Sequence, residues 1–92
     1  MVVKDLIQAA RFSFYSGRSD HALKDFAFAA ETALRLGDVL AAAESFLDAA
    51  WVAAKVHDGR LALRYADRAR ELSSSPLLRD SDRARLLSRL PG

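Results

Sequence analysis

The interval between chain breakers does most to limit what this chain can fold into. Gly stands at 17, 37, 59 and 92, and Pro at 76 and 91. Glycine admits left-handed turns and proline cannot continue a helix, so these residues punctuate the chain. Residues 3–16 form the first helical segment, with Val3, Leu6, Ile7, Ala10 and Phe14 recurring at helical spacing. Ser16-Gly17-Arg18-Ser19 breaks it, and Ser19 or Asp20 can cap the next helix by accepting from a free backbone N–H. That helix runs over 20–36 on a stripe of Leu23, Phe26, Ala30, Ala33 and Leu34, and Gly37 is placed to end it in the left-handed region. Asp38 reads as the N-cap of a third helix over 39–56, and His57-Asp58-Gly59 as the next turn. A fourth helix over 60–74 uses Leu61, Ala62, Tyr65, Ala69 and Leu72, and Ser73-Ser74-Ser75-Pro76 ends it. A short last helix over 81–90 carries Leu86, Leu87 and Leu90, with Asp80 or Ser81 as cap. Alternating strand patterns longer than a few residues are missing, and the turns are short, which predicts an all-α chain with antiparallel neighbours.

Length and composition narrow the class further. At 92 residues, 51% hydrophobic and 28% charged, residues 1–92 suit one small globular domain. A core of this size supplies only a few kcal/mol of net stability, which makes self-association or a host assembly worth considering. The chain has no cysteine, so disulfides, thiolate metal sites and cysteine nucleophiles are excluded. That composition fits a reducing cytoplasm. The stretch MVVKDLIQAARF places Asp5 and Gln8 where a signal peptide would be apolar, so it does not read as one. No run of about 18 apolar residues offers a membrane span. With 14 basic and 12 acidic residues the net charge is +2, which describes a mixed solvated surface better than a nucleic-acid surface.

The stretch AESFLDAAWVAAK at 43–55 carries five alanines around a single Trp51. Shifting the sequence by 40 residues shows why it is small on nearly every side. Ala9 falls on Ala49, Ala10 on Ala50, Ala22 on Ala62, Leu23 on Leu63, Ala29 on Ala69 and Glu31 on Glu71, while Leu6 meets Phe46 and Ile7 meets Leu47. Helix one thus maps onto helix three and helix two onto helix four, as a duplicated hairpin would. The pattern resembles the tetratricopeptide repeat (TPR). In that family a large residue is followed by a small one four positions on. The second helix then brings a small residue, an aromatic and another small one, and a proline often follows. Leu6, Ala10, Ala22, Phe26 and Ala29 match in the first copy. Phe46, Ala50, Ala62, Ala66 and Ala69, then Pro76, stand in the second. Ala66 departs from the aromatic expected there, although Tyr65 is adjacent. The period of 40 exceeds the usual 34, with the extra residues, about Gly37 to Ala42, lengthening the start of helix three. The resemblance covers about residues 3–76. It implies a right-handed antiparallel helical hairpin stack of two TPR-like repeats, about 3–36 and 39–74, plus a C-terminal capping helix. Alanine suits such a stack because it lets helix axes approach closely and has the highest helix propensity.

Trp51 lies five positions from Phe46, about 140° around the helix. Phe46, Ala50 and Ala53 form one stripe; Leu47, Trp51, Ala54 and Lys55 form another. Under the TPR resemblance the second stripe faces a concave groove, with Lys4, Ile7, Arg11, Phe14 and Tyr15 opposite it on helix one. The resemblance therefore implies a protein–protein interaction module that holds a peptide or partner helix on the helix one/helix three surface. Arg11, Tyr15, Trp51 and Lys55 are its candidate contacts. Aromatic and Arg anchors dominate such energetics, and the basic groups favour an acidic or carboxylate-terminated ligand. An Ala-rich helix can equally bury its one Trp against a neighbour, so Trp51 is either ligand-facing or core. Asn is absent from the chain, so the Lys and Asn set of the carboxylate-clamp subfamily is not reproduced.

Chemistry is hard to find. His21 and His57 are the two histidines, each beside a turn, and a metal site needs about three convergent ligands. Ser13, Ser16, Ser19, Ser45 and Ser73–Ser75 lack a nucleophile elbow, and no glycine-rich phosphate loop exists. No cofactor, metal or catalytic residue is expected. The segment RDSDRARLLSRLPG reads as an amphipathic cap over the second hairpin. Its rival is that Leu86, Leu87 and Leu90 bind a second copy or another protein; the rival readings of the whole chain are a self-assembling unit whose hairpins stack on another copy to complete a solenoid, and a small helical nucleic-acid binder.

Overall fold

Three turns set the frame of the protein, seen here in a computed structural model that describes residues 3–90. Pro91 and Gly92 lie outside the described residues. In each turn one residue sits in the left-handed region: Gly17 at φ 82°, Gly37 at φ 78° and His57 at φ 63°. The flanking hydrogen bonds repeat. Gly17, Gly37 and His57 donate to the carbonyls of Phe14, Leu34 and Ala54, and Arg18, Asp38 and Asp58 donate to those of Ser13, Ala33 and Ala53. This is the Schellman arrangement, in which two otherwise orphaned carbonyls are satisfied by the residues that leave the helix. The left-handed residue recurs every 20 positions, so the 40-residue period is two helix-plus-turn units of equal length.

The helices between these turns are α1 (Val3–Tyr15), α2 (Ser19–Arg35), α3 (Val39–Lys55) and α4 (Gly59–Ser73), followed by α5 (Asp80–Arg89). No strand occurs among the described residues. Asp38 caps α3 by accepting from the amide of Ala41 at 3.1 Å, and Asp58 caps α4 by accepting from Leu61 at 3.1 Å. Two expected caps differ. The residue before α2 is Arg18 and the one before α5 is Arg79, and neither makes a side-chain capping bond. Gly59 belongs to α4 as its first residue, so the turn it was expected to form is made by Val56, His57 and Asp58.

Successive helices pack on one another in chain order, α1 on α2, α2 on α3 and α3 on α4, with α5 folding back on α3 and α4. The resulting all-α stack measures 36 × 33 × 18 Å, and its thin dimension holds two helix layers. Helix α3 is the central element, touching α1, α2, α4 and α5. Its alanines answer that position: Ala42, Ala43, Ala49 and Ala53 are fully buried, as are Ala10 on α1 and Ala22, Ala29, Ala30 and Ala33 on α2. The larger core side chains fill the spaces between. Phe26 and Val52 pack with Ala10, Ala22 and Ala49, while Phe46 and Leu47 pack with Ala30, Ala69, Leu78 and Leu86.

The aromatic that Ala66 does not supply comes from Tyr65, whose ring stacks on Phe46 at 6.0 Å between centroids. Arg68 lies over the same Phe46 ring at 4.7 Å. At the far end α5 caps the stack: Leu86 is buried and Leu90 packs against the same cluster, whereas Leu87 stays exposed. Arg83 pins the α4–α5 connection. Its guanidinium donates to the carbonyls of Ser73 at 2.9 Å and Ser75 at 2.7 Å and to Asp80 at 2.8 Å. No helix among the described residues is long and apolar enough to cross a membrane.

Candidate functional site

Trp51 stands one and a half turns from the buried Phe46 on α3, and the two side chains have opposite fates. Phe46 is closed off inside the stack, while Trp51 keeps 51% of its surface exposed. The indole packs on Phe14 of α1, with centroids 4.9 Å apart in an edge-to-face arrangement. Lys55, one turn further along α3, places its Nζ 5.1 Å from the ring centroid. Trp51 is therefore neither a core residue nor a loose surface side chain. It is held by Phe14 and Lys55 while about half its surface stays exposed, which lowers the entropy lost when that surface is covered.

Two depressions meet at this ring. The smaller encloses about 90 Å³ between α1 and α3, where Arg11, Phe14 and Tyr15 face Asp48 and Trp51. The larger holds about 400 Å³ and is walled by Leu47, Ala50 and Ala54 of α3 and Ala62, Leu63 and Ala66 of α4, with Trp51 and Arg89 also lining it. The alanines create this groove by being short: no side chain on its floor reaches far enough to fill it. Its volume suits two or three large apolar side chains. Arg89 is fixed there by an ion pair with Asp48 at 2.9 Å, across 41 residues of sequence.

The structure thus brings together the four candidates read from the sequence. Arg11, Tyr15 and Trp51 line one cleft, and Lys55 covers part of the Trp51 ring. The charge of the surface differs from the aromatic and basic face expected. Asp48 lies in the same cleft as Arg11, and Glu44 joins Lys4, Gln8 and Arg11 in the hollow along the α1–α3 seam. The α4 wall of the groove and Arg89 were not among the candidates.

Comparison with protein-family models, with curated proteins and with solved structures finds no match for this chain. The surface must therefore be read from its own chemistry. His21 and His57 are exposed at separate turns, and no group of three or more His, Cys, Asp or Glu among the described residues could hold a metal ion. What the arrangement offers is an apolar trough, a held aromatic and a few charges at the edges, which are the components of a contact surface.

Proposed function

We propose that this protein is a non-catalytic interaction module that receives a peptide or partner helix on the face built by α1 and α3, with the α3–α4 groove accommodating its apolar side chains. The observation that carries this reading is Trp51 itself, half exposed yet fixed by Phe14 and Lys55, between the aromatic α1–α3 cleft and the apolar α3–α4 groove. Aromatic anchors that are rigid before binding give large contact area at low entropic cost. The resemblance to the TPR family supports the same role, because its members hold peptides on the surface made by the first helix of each hairpin. In this reading Leu63 and Trp51 desolvate against apolar side chains of the ligand, and Arg11, Lys55 and Arg89 pair with its carboxylates at the rim. A cytoplasmic setting accords with the lack of cysteine.

Trp51 is the sole tryptophan, so its fluorescence reports on this face alone. Titration with a library of amphipathic helical peptides of acidic and mixed charge is expected to yield ligands that shift Trp51 emission to the blue as its exposed surface is covered. A library from which no peptide changes the emission, or whose binders leave it unchanged, would remove the proposal.

A further inference from the structure

The two ends of the stack are finished differently. At the C-terminal end α5 covers α3 and α4, whereas at the other end no helix among the described residues lies over the outer face of α1. The open end carries two large aromatics, Phe12 at 66% exposure and Phe28 at 53%. Both turn away from α3. Phe12 lies about 160° around α1 from Phe14, the ring that touches Trp51, and Phe28 lies about 160° around α2 from the buried Phe26.

The internal 40-residue equivalence says what such a surface is suited to. Asp5, Ala9 and Phe12 of α1 correspond to Ser45, Ala49 and Val52 of α3. All three of those α3 residues are buried, and Ala49 and Val52 pack with Ala22 and Phe26 of α2. The stripe on α1 is therefore a helix-packing surface without its helix. It is also self-complementary. Ala9 and Phe12 are a small and a large residue at i and i+3, both exposed. A two-fold axis passing between them sets Phe12 of each helix into the hollow over Ala9 of the other. The same register points Asp5, near one end of the stripe, toward the α1–α2 turn of the second copy, which carries Arg18. Neither Asp5 nor Arg18 has an ion-pair partner among the described residues.

We infer that a second copy of this chain docks on the open face of α1, by an antiparallel α1–α1 contact whose two-fold axis runs between Ala9 and Phe12. The contact is isologous, so it closes at two copies and leaves no further raw end. Ridge-into-groove packing of a large side chain over an alanine is how the chain already joins its own helices. The Trp51 ring packs on Phe14, about 160° around α1 from Phe12, and the α3–α4 groove includes no α1 residue, so the groove stays open in the dimer even though Tyr15, about 60° from Phe12, borders the seam; the dimer does not rest on the peptide-binding reading.

Sedimentation equilibrium tests this. The wild-type chain should move from 10.1 kDa toward twice that mass as concentration rises. Phe12→Asp should stay at the monomer mass at every concentration, with an unchanged helical circular-dichroism spectrum. Asp5→Arg should weaken association about threefold, and adding Arg18→Asp should recover it. A wild-type protein that remains monomeric up to on the order of 1 mM overturns the inference. So does a dimer that survives Phe12→Asp, one abolished by Trp51→Ala, or an Asp5→Arg defect that Arg18→Asp does not rescue.

Discussion

Ser45 and His57 show how single positions carry a cost that the whole fold tolerates. Ser45 is fully buried in the middle of α3, and its Oγ finds no hydrogen-bond partner among the described residues. A buried, unpaired hydroxyl loses its water without compensation, and serine is also a poorer helix former than alanine. Ser45→Ala should therefore raise stability by about 1 kcal/mol, read from urea denaturation; a destabilised variant would mean that the hydroxyl is satisfied in solution. His57 occupies the left-handed position that Gly17 and Gly37 hold in the other two turns. An L-residue there pays about 1–2 kcal/mol, partly offset by the extra backbone freedom glycine has when unfolded. His57→Gly should gain about 0.5 kcal/mol, whereas the β-branched His57→Val should lose at least about 1 kcal/mol. Equal melting of the two variants would show that the turn does not require this backbone. The unusual residue also explains why the third turn was harder to read than the first two. Composition draws the eye to Gly59, but the 20-residue recurrence of 17 and 37 points to 57.

The helices themselves were largely legible, because alanine-rich segments between left-handed turns leave little alternative. Helix ends fell within one residue of the expected positions, from 3–15 for α1 to 80–89 for α5. What the sequence did not show is how α5 is held. Arg83 sits one turn into α5, and nothing in its spacing announces that it reaches the carbonyls of Ser73 and Ser75 behind it. Only the path of the chain between Ser74 and Arg79 brings those acceptors together. The planar guanidinium satisfies several directions at once, which an ammonium cannot do. Arg83→Ala should cost about 2–3 kcal/mol, and Arg83→Lys should recover little of it. Amide hydrogen exchange across α5 would rise in both variants while α1–α3 remain protected. Exchange in α5 no faster than in the wild type would show that Leu86 and Leu90 hold the helix unaided.

The whole molecule is a thin stack in which small residues let helices approach and large ones are left over at specific places. Phe46, Val52 and Phe26 are buried because each lies over alanines of a neighbouring helix. Trp51, Phe12 and Phe28 are exposed because no helix lies over them. The Trp51 side of the site was visible in the sequence as a stripe shared by α1 and α3. The α4 wall and Arg89 were not, since they join the groove through contacts that the 40-residue equivalence does not encode. The pairing of Asp48 with Arg89 likewise depends on α5 folding back over α3. Partner binding at this surface depends on the exposed half of Trp51 being covered by the ligand. The direct measurement is calorimetric titration of the tightest emission-shifting peptide into wild type and Trp51→Ala, with a thermal melt of each. We expect Trp51→Ala to keep a cooperative helical melt and to bind at least about tenfold more weakly, a loss of about 1.4 kcal/mol. Undiminished affinity, or a variant that no longer melts cooperatively, would contradict it.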